Sequence, residues 1–260
     1  MGTTNAAAFF DLDRTLISGA AAFPVGVEAW RQGVASNADI ARWGIAALSF
    51  KLLGDKSDAS SDDLKADFLS EIAGSPANTL DALATAVLPR LTHRVRPESR
   101  KLISMHHGEG RDTWIISASP QGLVEPLAVS LGMTGAIGTR GEIIDGEYTG
   151  NLDGPFVYGA GKVESIEKLA SDRGYDMALC YAYSDSVSDL PMMEHVGHPV
   201  AVNPDSQLLS ISRERGWPVV IFARRTKLAV AFGGVGIGTV MTSLLAYFIG
   251  RRHGRSKPHH

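Results

Sequence analysis

The sequence predicts an α/β fold. It should be a doubly wound parallel sheet, interrupted after its first strand by a helical insert and followed by an apolar C-terminal helix. Three observations predict it. From residue 97 to 222, short apolar runs of strand length alternate with helix-length segments, the pattern of parallel strands joined by helices. Between Ser18 and Thr92 only helical spacing is visible. Finally, residues 228–250 carry no charge over 23 positions, enough to span a bilayer as a helix.

The elements follow in chain order. Ala6–Phe10 is a short apolar run with polar residues after it, which reads as a buried strand. Val27, Trp30 and Val34, then Ile40, Trp43 and Ala47, recur at helical spacing. Ser60 and Ser61 precede acidic residues at a helix start, with Leu64, Phe68 and Ile72 on one face. Pro76 opens another helix whose stripe is Leu80, Leu83, Val87 and Leu91. Pro97–His107 is then a helix, Thr113–Ser117 a strand, and Pro120–Leu131 a helix closed by Gly132. Residues 135–153 are glycine-rich and suit short strands or a hairpin. Gly161–Arg173 is a helix ended by Gly174, Met177–Tyr183 a strand, and Val187–His195 a helix. Pro199–Val202, Ser206–Arg215 and Val219–Phe222 complete the pattern as strand, helix and strand. The expected organisation is a core of residues 1–17 and 93–223, a helical cap over 18–92 and a basic-flanked segment over 224–260.

Composition sets the outer limits. The chain has 260 residues, 44% hydrophobic and 20% charged, which is ordinary for a globular protein and excludes disorder over its whole length. A net charge of −3 weighs against a nucleic-acid partner. The single Cys180 can form neither an intramolecular disulfide nor a thiolate zinc site, which fits a reducing compartment; inside an expected strand it reads as an inert core residue. Met1–Ala8 lacks the basic start of a secretory leader. Arg224, Arg225 and Lys227 precede the apolar segment and Arg251, Arg252, Arg255 and Lys257 follow it, flanks that suit lipid headgroups. The expectation is a membrane-associated protein held through residues 228–250, with a cytoplasmic catalytic domain. Gly234 and Gly238 form a G-x-x-x-G spacing that permits close helix pairing, and so a homodimer.

In an open parallel sheet, ligands bind beyond the carboxyl ends of the strands. There the sequence places Asp11-Leu12-Asp13-Arg14-Thr15 after the first strand and Ser117 after the second. Lys162 stands at the start of a later helix, and Ser184-Asp185-Ser186-Val187-Ser188-Asp189 ends a further strand. Asp11, Asp13 and Asp185 in one partly dry site would repel one another, and a hard divalent cation with oxygen ligands relieves that repulsion. Ser117 and Lys162 are donors suited to phosphoryl oxygens. A carboxylate held in such a site can attack phosphorus.

These residues resemble the four motifs of the haloacid dehalogenase-like superfamily of phosphohydrolases, and within it the phosphoserine-phosphatase-related subfamily. Asp11 to Thr15 is similar to its first motif, Asp-x-Asp-x-Thr; Ser117 to the second-motif hydroxyl; Lys162 to the third-motif lysine; Asp185 and Asp189 to the fourth-motif aspartates. The resemblance spans about residues 6–222 and implies a Rossmann-like core with a helical cap. It implies Asp11 as nucleophile and Asp13 as general acid and base. It implies Mg2+ held by the Asp11 and Asp185 carboxylates and the Asp13 main-chain carbonyl. Ser117 and Lys162 would bind phosphate, with Asp189 and Thr15 supporting them from behind. The implied activity is hydrolysis of a small phosphomonoester, phosphoserine-like or phospholipid-related, through an aspartyl-phosphate. The alternatives are a phosphotransferase using the same intermediate and a membrane-anchored, non-catalytic regulatory protein with the same fold. Two positions depart from the family. Ala20 stands where phosphoserine enzymes usually carry an acidic residue, which weighs against phosphoserine itself. Ser184 precedes the fourth-motif Asp185, where glycine is frequent.

Two histidines and two tryptophans carry the remaining expectations. His106 and His107 are adjacent, so they do not share a helix face, and they are read as a solvated helix end. Trp30 and Trp43 are read as packing within the cap, with the substrate side as the alternative.

Overall fold

The computed structural model describes residues 5–35 and 61–222. A six-stranded sheet forms its centre, in the order β3-β2-β1-β6-β7-β8. These strands are β1 (Ala7–Phe10), β2 (Asp112–Pro120), β3 (Gly135–Thr139), β6 (Tyr181–Ser184), β7 (His198–Val202) and β8 (Val219–Val220). The pairs β1/β2, β1/β6, β2/β3 and β6/β7 are all parallel. The chain builds outward from β1 to β2 and β3, then returns to the other side of β1 with β6. That reversal makes the doubly wound sheet expected from the alternation and opens a crevice at the carboxyl ends of β1 and β6.

The apolar runs form the core because parallel strands are covered on both faces. Ala7, Ala8, Phe9, Phe10, Ile115, Ile116 and Ala182 are essentially inaccessible to water. The helices are α1 (Ala22–Arg31), α2 (Ser61–Ile72), α3 (Ala77–Arg94), α4 (Pro97–Gly108), α5 (Gln121–Ser130), α6 (Ala160–Arg173), α7 (Leu190–Glu194) and α8 (Ser206–Glu214). The stripe on α3 holds: Leu83, Val87 and Leu91 are buried. Gly174 ends α6 in a left-handed conformation with φ of 70°, a geometry that glycine adopts without strain.

The remaining strands, β4 (Gly141–Ile144) and β5 (Glu147–Leu152), pair as a separate antiparallel hairpin. This hairpin is joined to the turn between α2 and α3. Gly74 N–H donates to the Tyr148 carbonyl at 2.8 Å, Tyr148 N–H to Ser75 O at 3.0 Å and Ala77 N–H to Gly146 O at 2.9 Å. The glycine-rich stretch therefore contributes one strand to the main sheet and a hairpin to the helical region.

Several expectations need correction. Strand β2 runs to Pro120 rather than ending at Ser117, because pairing with β3 resumes beyond a bulge at Pro120 and Thr139. Met177–Leu179 is a short helical turn, fixed by the Asp176 carboxylate accepting the Ala178 N–H at 3.0 Å, so the strand begins only at Tyr181. Cys180 accordingly precedes the strand; it is buried, and its Sγ accepts the Ala7 N–H at 3.3 Å. The segment from Val187 divides into a turn, Val187–Asp189, and the short α7. Trp30 is half-exposed rather than packed in a core, while Trp43 lies outside the described residues.

His106 is the largest correction. It is fully buried rather than solvated. Its Nε2 bonds the Tyr183 hydroxyl at 2.8 Å and its Nδ1 accepts from Arg111 Nε at 2.7 Å. Burial, then the Arg111 charge, hold its pKa well below the usual histidine value, so the ring sits neutral among Phe10, Tyr181 and Tyr183. His107 Nε2 lies 2.8 Å from Thr113 Oγ1.

The chain divides into two units between Val219 and Val220. Among the described residues no helix is long and apolar enough to cross a membrane. The apolar segment 228–250, its basic flanks, the Gly234/Gly238 spacing and the expected helix around Ile40 and Ala47 lie outside the described residues.

Candidate active site

Strand β1 delivers Asp11 to the sheet's carboxyl edge, where its N–H donates to the Tyr183 carbonyl at 2.9 Å. The chain then makes a wide turn over Leu12–Leu16, closed by Leu16 N–H to Asp11 O at 3.3 Å and Ile17 N–H to Leu12 O at 3.0 Å. Inside it, Asp13 is extended and Arg14 is left-handed, with φ of 60°. The turn sends successive side chains to different partners. Asp13 Oδ1 accepts the Ala21 N–H at 2.8 Å, while Thr15 Oγ1 donates to Asp185 Oδ1 at 3.3 Å.

Register aligns the neighbouring strands. Phe10 pairs with Ile115 and with Tyr183. Ser117 therefore sits one position beyond the level of Asp11 on one side, and Asp185 one position beyond it on the other. Ser117 is buried and its Oγ accepts the Ser119 N–H at 3.1 Å, so its own proton is the part left to donate. Lys162 enters from the first turn of α6. The residue before it is glycine for a packing reason: a Cβ on Gly161 would stand 1.9 Å from the Phe156 carbonyl oxygen.

Lys162 is the hub. Its side chain is buried, and Nζ donates to Asp11 Oδ1 at 2.6 Å and to Asp189 Oδ2 at 2.8 Å. Ser184 Oγ donates to the same Asp189 oxygen at 2.7 Å. A second pair stands beside it, with Arg14 Nε 2.9 Å from Asp185 Oδ2. The structure thus links Asp11, Lys162 and Asp189 in one cluster and Asp185, Thr15 and Arg14 in another. Asp11 feels the charges of Asp13, Asp185 and Asp189, so the clusters share one field.

The electrostatics follow from crowding. Burial pushes Asp11 well above the usual carboxylate value, with Lys162 pulling back and Asp189, Asp185 and Asp13 adding to the rise. Burial also raises Asp13, against the Ala21 N–H. Asp185 is pushed up to about 7, by burial first, with Arg14 opposing and Asp189 contributing. Burial works against the Lys162 charge, but Asp11 and Asp189 outweigh it and hold the lysine protonated. Four carboxylates face two cations, leaving a formal excess of two negative charges.

Crowded carboxylates of this kind suit a hard divalent cation. Asp185 Oδ2 is buried and accepts no hydrogen bond, despite the nearby guanidinium, so one carboxylate oxygen is available for a ligand bond. Among the described residues no group of three or more His, Cys, Asp or Glu side chains is arranged around a metal position. A set of two carboxylates, Asp11 and Asp185, with the Asp13 carbonyl does not require one. The donors are all oxygen and fit a hard cation.

The residues from Ala8 to Glu194 match the model of the haloacid dehalogenase-like hydrolase family. The chain belongs to the haloacid dehalogenase-like hydrolases. Its relatives in Mycobacterium tuberculosis include a phosphoserine phosphatase and a probable phosphatase, and within that family it is a phosphatase of the phosphoserine-phosphatase-like kind. It is 36% identical over 253 residues to a putative hydrolase of Mycobacterium leprae, covering 96% of this chain and 83% of the relative. It is 37% identical over 227 residues to a phosphoserine phosphatase of Mycobacterium tuberculosis, covering 86% and 73%. A solved structure of a Bordetella pertussis protein with unknown function superposes with a TM-score of 0.73 at 26% identity, covering 84% and 99% of the two chains. In this haloacid dehalogenase-like chain, sequence reasoning missed three site features. They are the Arg14–Asp185 pair, the Ser184–Asp189 hydrogen bond and the Ala21 N–H on Asp13. Arg14 carried a signal, a basic residue inside an acidic motif, and so did Ser184, which stands where glycine is frequent.

Proposed function

We propose that the chain is a magnesium-dependent phosphatase acting on a small phosphomonoester through an aspartyl-phosphate. The observation that carries this reading is the buried Lys162 bridging Asp11 and Asp189, with Asp185 alongside. Asp11 attacks phosphorus; the new carboxylate–phosphorus bond forms as the ester oxygen leaves. Asp13 gives that oxygen its proton. Its raised pKa, a result of burial, suits a carboxyl that must first be protonated. Water then gives a proton to Asp13 and attacks phosphorus, which frees Asp11 and releases phosphate. Lys162 and Ser117 hold the phosphoryl oxygens throughout. Magnesium, held by Asp11, Asp185 and the Asp13 carbonyl, would supply Lewis-acid stabilisation of the phosphoryl charge. Asp189 and Ser184 keep Lys162 in place.

Ala20 argues for a substrate other than phosphoserine, and the apolar 228–250 segment favours a phospholipid-related ester at a membrane surface. The test is phosphate release from phosphoserine, phosphoethanolamine, phosphocholine, glycerol phosphates, histidinol phosphate and lysophosphatidate, with and without magnesium. Magnesium-dependent turnover concentrated on one ester is expected. No release from any of them by folded protein would overturn the reading, and transfer to an added alcohol exceeding hydrolysis would redirect it to phosphotransfer.

The same reading holds the protein at a membrane through 228–250, with the catalytic unit cytoplasmic. Its support is the run of 23 uncharged residues between basic flanks. Deleting 224–260 is expected to move the protein from the membrane pellet to the soluble fraction. A full-length chain already soluble without detergent would refute the anchor.

A further inference from the structure

We propose that Arg14 is a resident counter-ion of Asp185 that competes with the divalent cation for one carboxylate oxygen, and so sets how tightly the site takes its metal. The inference rests on the magnesium reading above and adds a residue to which that reading gives no role.

Asp185 offers two oxygens. Oδ1 is engaged by the Thr15 hydroxyl at 3.3 Å. Oδ2 faces Arg14 Nε at 2.9 Å but accepts no hydrogen bond, so the pair is a charge contact without an aligned N–H. An oxygen in that condition is satisfied in charge and unsatisfied in direction. A metal ion supplies both.

Exposure separates the two cations of the site. Lys162 is buried and held by two carboxylates, whereas the Arg14 side chain is 51% exposed over an Asp185 that is 4% exposed. Arg14 is therefore the solvent-facing partner of a buried carboxylate. A cation bound at Oδ2 would share that oxygen with the guanidinium, and two positive groups on one oxygen repel each other. Arg14 is the cation that can leave.

The backbone supports this placement. Arg14 holds a left-handed conformation, with φ of 60° and ψ of −13°, and its N–H donates to the Gly19 carbonyl at 3.1 Å. An arginine in that region is uncommon, and such residues cluster at functional sites. The turn lets Arg14 and Thr15, neighbours in sequence, both reach Asp185 while Asp13 turns to Ala21.

The test is calorimetric titration of MgCl2 into the metal-stripped full chain, with melting of the same samples in chelator. Arg14→Asn and Arg14→Gly are the variants, because both residues accept a left-handed backbone. Each is expected to lower the Mg2+ Kd about tenfold, since a competing charge has gone. Each is also expected to lower the metal-free melting temperature, since buried Asp185 loses its partner. Arg14→Lys, which keeps the charge, should bind Mg2+ more nearly as the wild type does. Opposite effects on metal affinity and metal-free stability are what a merely structural arginine would not produce. Unchanged or weaker Mg2+ binding in both neutral variants, with the wild type binding normally, overturns the role of Arg14 alone. A wild-type chain that takes no Mg2+ overturns the magnesium reading, and the proposal with it.

Discussion

Asp11→Asn should abolish phosphate release while leaving the protein folded. The amide matches the carboxylate in shape, so Lys162 keeps an oxygen partner at the former Asp11 position and the Asp189 bond at 2.8 Å is untouched. What disappears is the nucleophile. Loss of a covalent nucleophile removes the whole reaction route, and kcat should fall by about 10^4-fold or more. Stability should move the other way or stay level. Burial and three neighbouring carboxylates hold the Asp11 pKa well above its ordinary value, so its charge is a cost to the metal-free fold. A neutral side chain removes that cost, and the metal-free variant should melt at or above the wild type. Steady-state phosphate release and melting in chelator measure both effects. Retained turnover in a pure preparation would show that Asp11 is not the attacking group.

Lys162→Met should be the most destabilising single change in the site. Methionine nearly fills the volume of the lysine stem but leaves Asp11 and Asp189 buried without their cation. Breaking a buried pair on one side costs about 3–5 kcal/mol, and a unit of this size loses roughly 2–4 °C per kcal/mol. A fall of about 10 °C in the metal-free melting temperature near pH 7 follows. The sign of its pH dependence also follows. Asp11 already sits above its unfolded value, and without Lys162 the principal downward pull on it is gone. The folded variant then binds more protons than the unfolded chain above about pH 4, so its stability falls as pH rises. The deficit against the wild type should be small near pH 4 and largest near pH 7–8. Equal melting curves at both ends of that range would contradict the buried bridge. Turnover should be lost as well, because Lys162 is assigned to the phosphoryl oxygens.

The first-motif aspartates were legible because they directly follow an apolar run, and chain order then puts them at a strand's carboxyl end. Ser117, Asp185 and Asp189 were legible because each stands near a strand's carboxyl end, and Lys162 because it opens a helix and matches the family's third motif. What those residues touch was less legible. Lys162 read alone is a surface lysine; in the fold it is 2% exposed and bridges residues 151 positions before it and 27 after it. Ser184 read as a small departure from glycine, yet its hydroxyl shares the Asp189 oxygen that Lys162 uses. His106 departs furthest from its sequence pattern. A histidine near a helix end is usually solvated, and only the arrival of Tyr183, 77 residues later, gives its ring a buried partner.

Element boundaries failed where side chains or neighbouring strands overrode the local pattern. The Asp176 cap turned Met177–Leu179 away from strand geometry, and pairing with β3 carried β2 past Ser117 to Pro120. The hairpin 141–152 could not be assigned to the helical region from its own residues. Three main-chain hydrogen bonds to residues 74–77 attach it there, and main-chain partners leave no mark on side-chain pattern.

Residue pattern was enough to predict the sheet's alternation, its double winding and the set of groups at its rim. Those depend on hydrophobic periodicity and on the order of strands along the chain, both local properties. Tertiary structure alone decided which carboxylate each cation takes, Lys162 on Asp11 and Asp189 and Arg14 on Asp185. Pairing of charges is set by which strands become neighbours, how far each side chain reaches and how much water is excluded. None of these exists until the strands on both sides of β1 have paired.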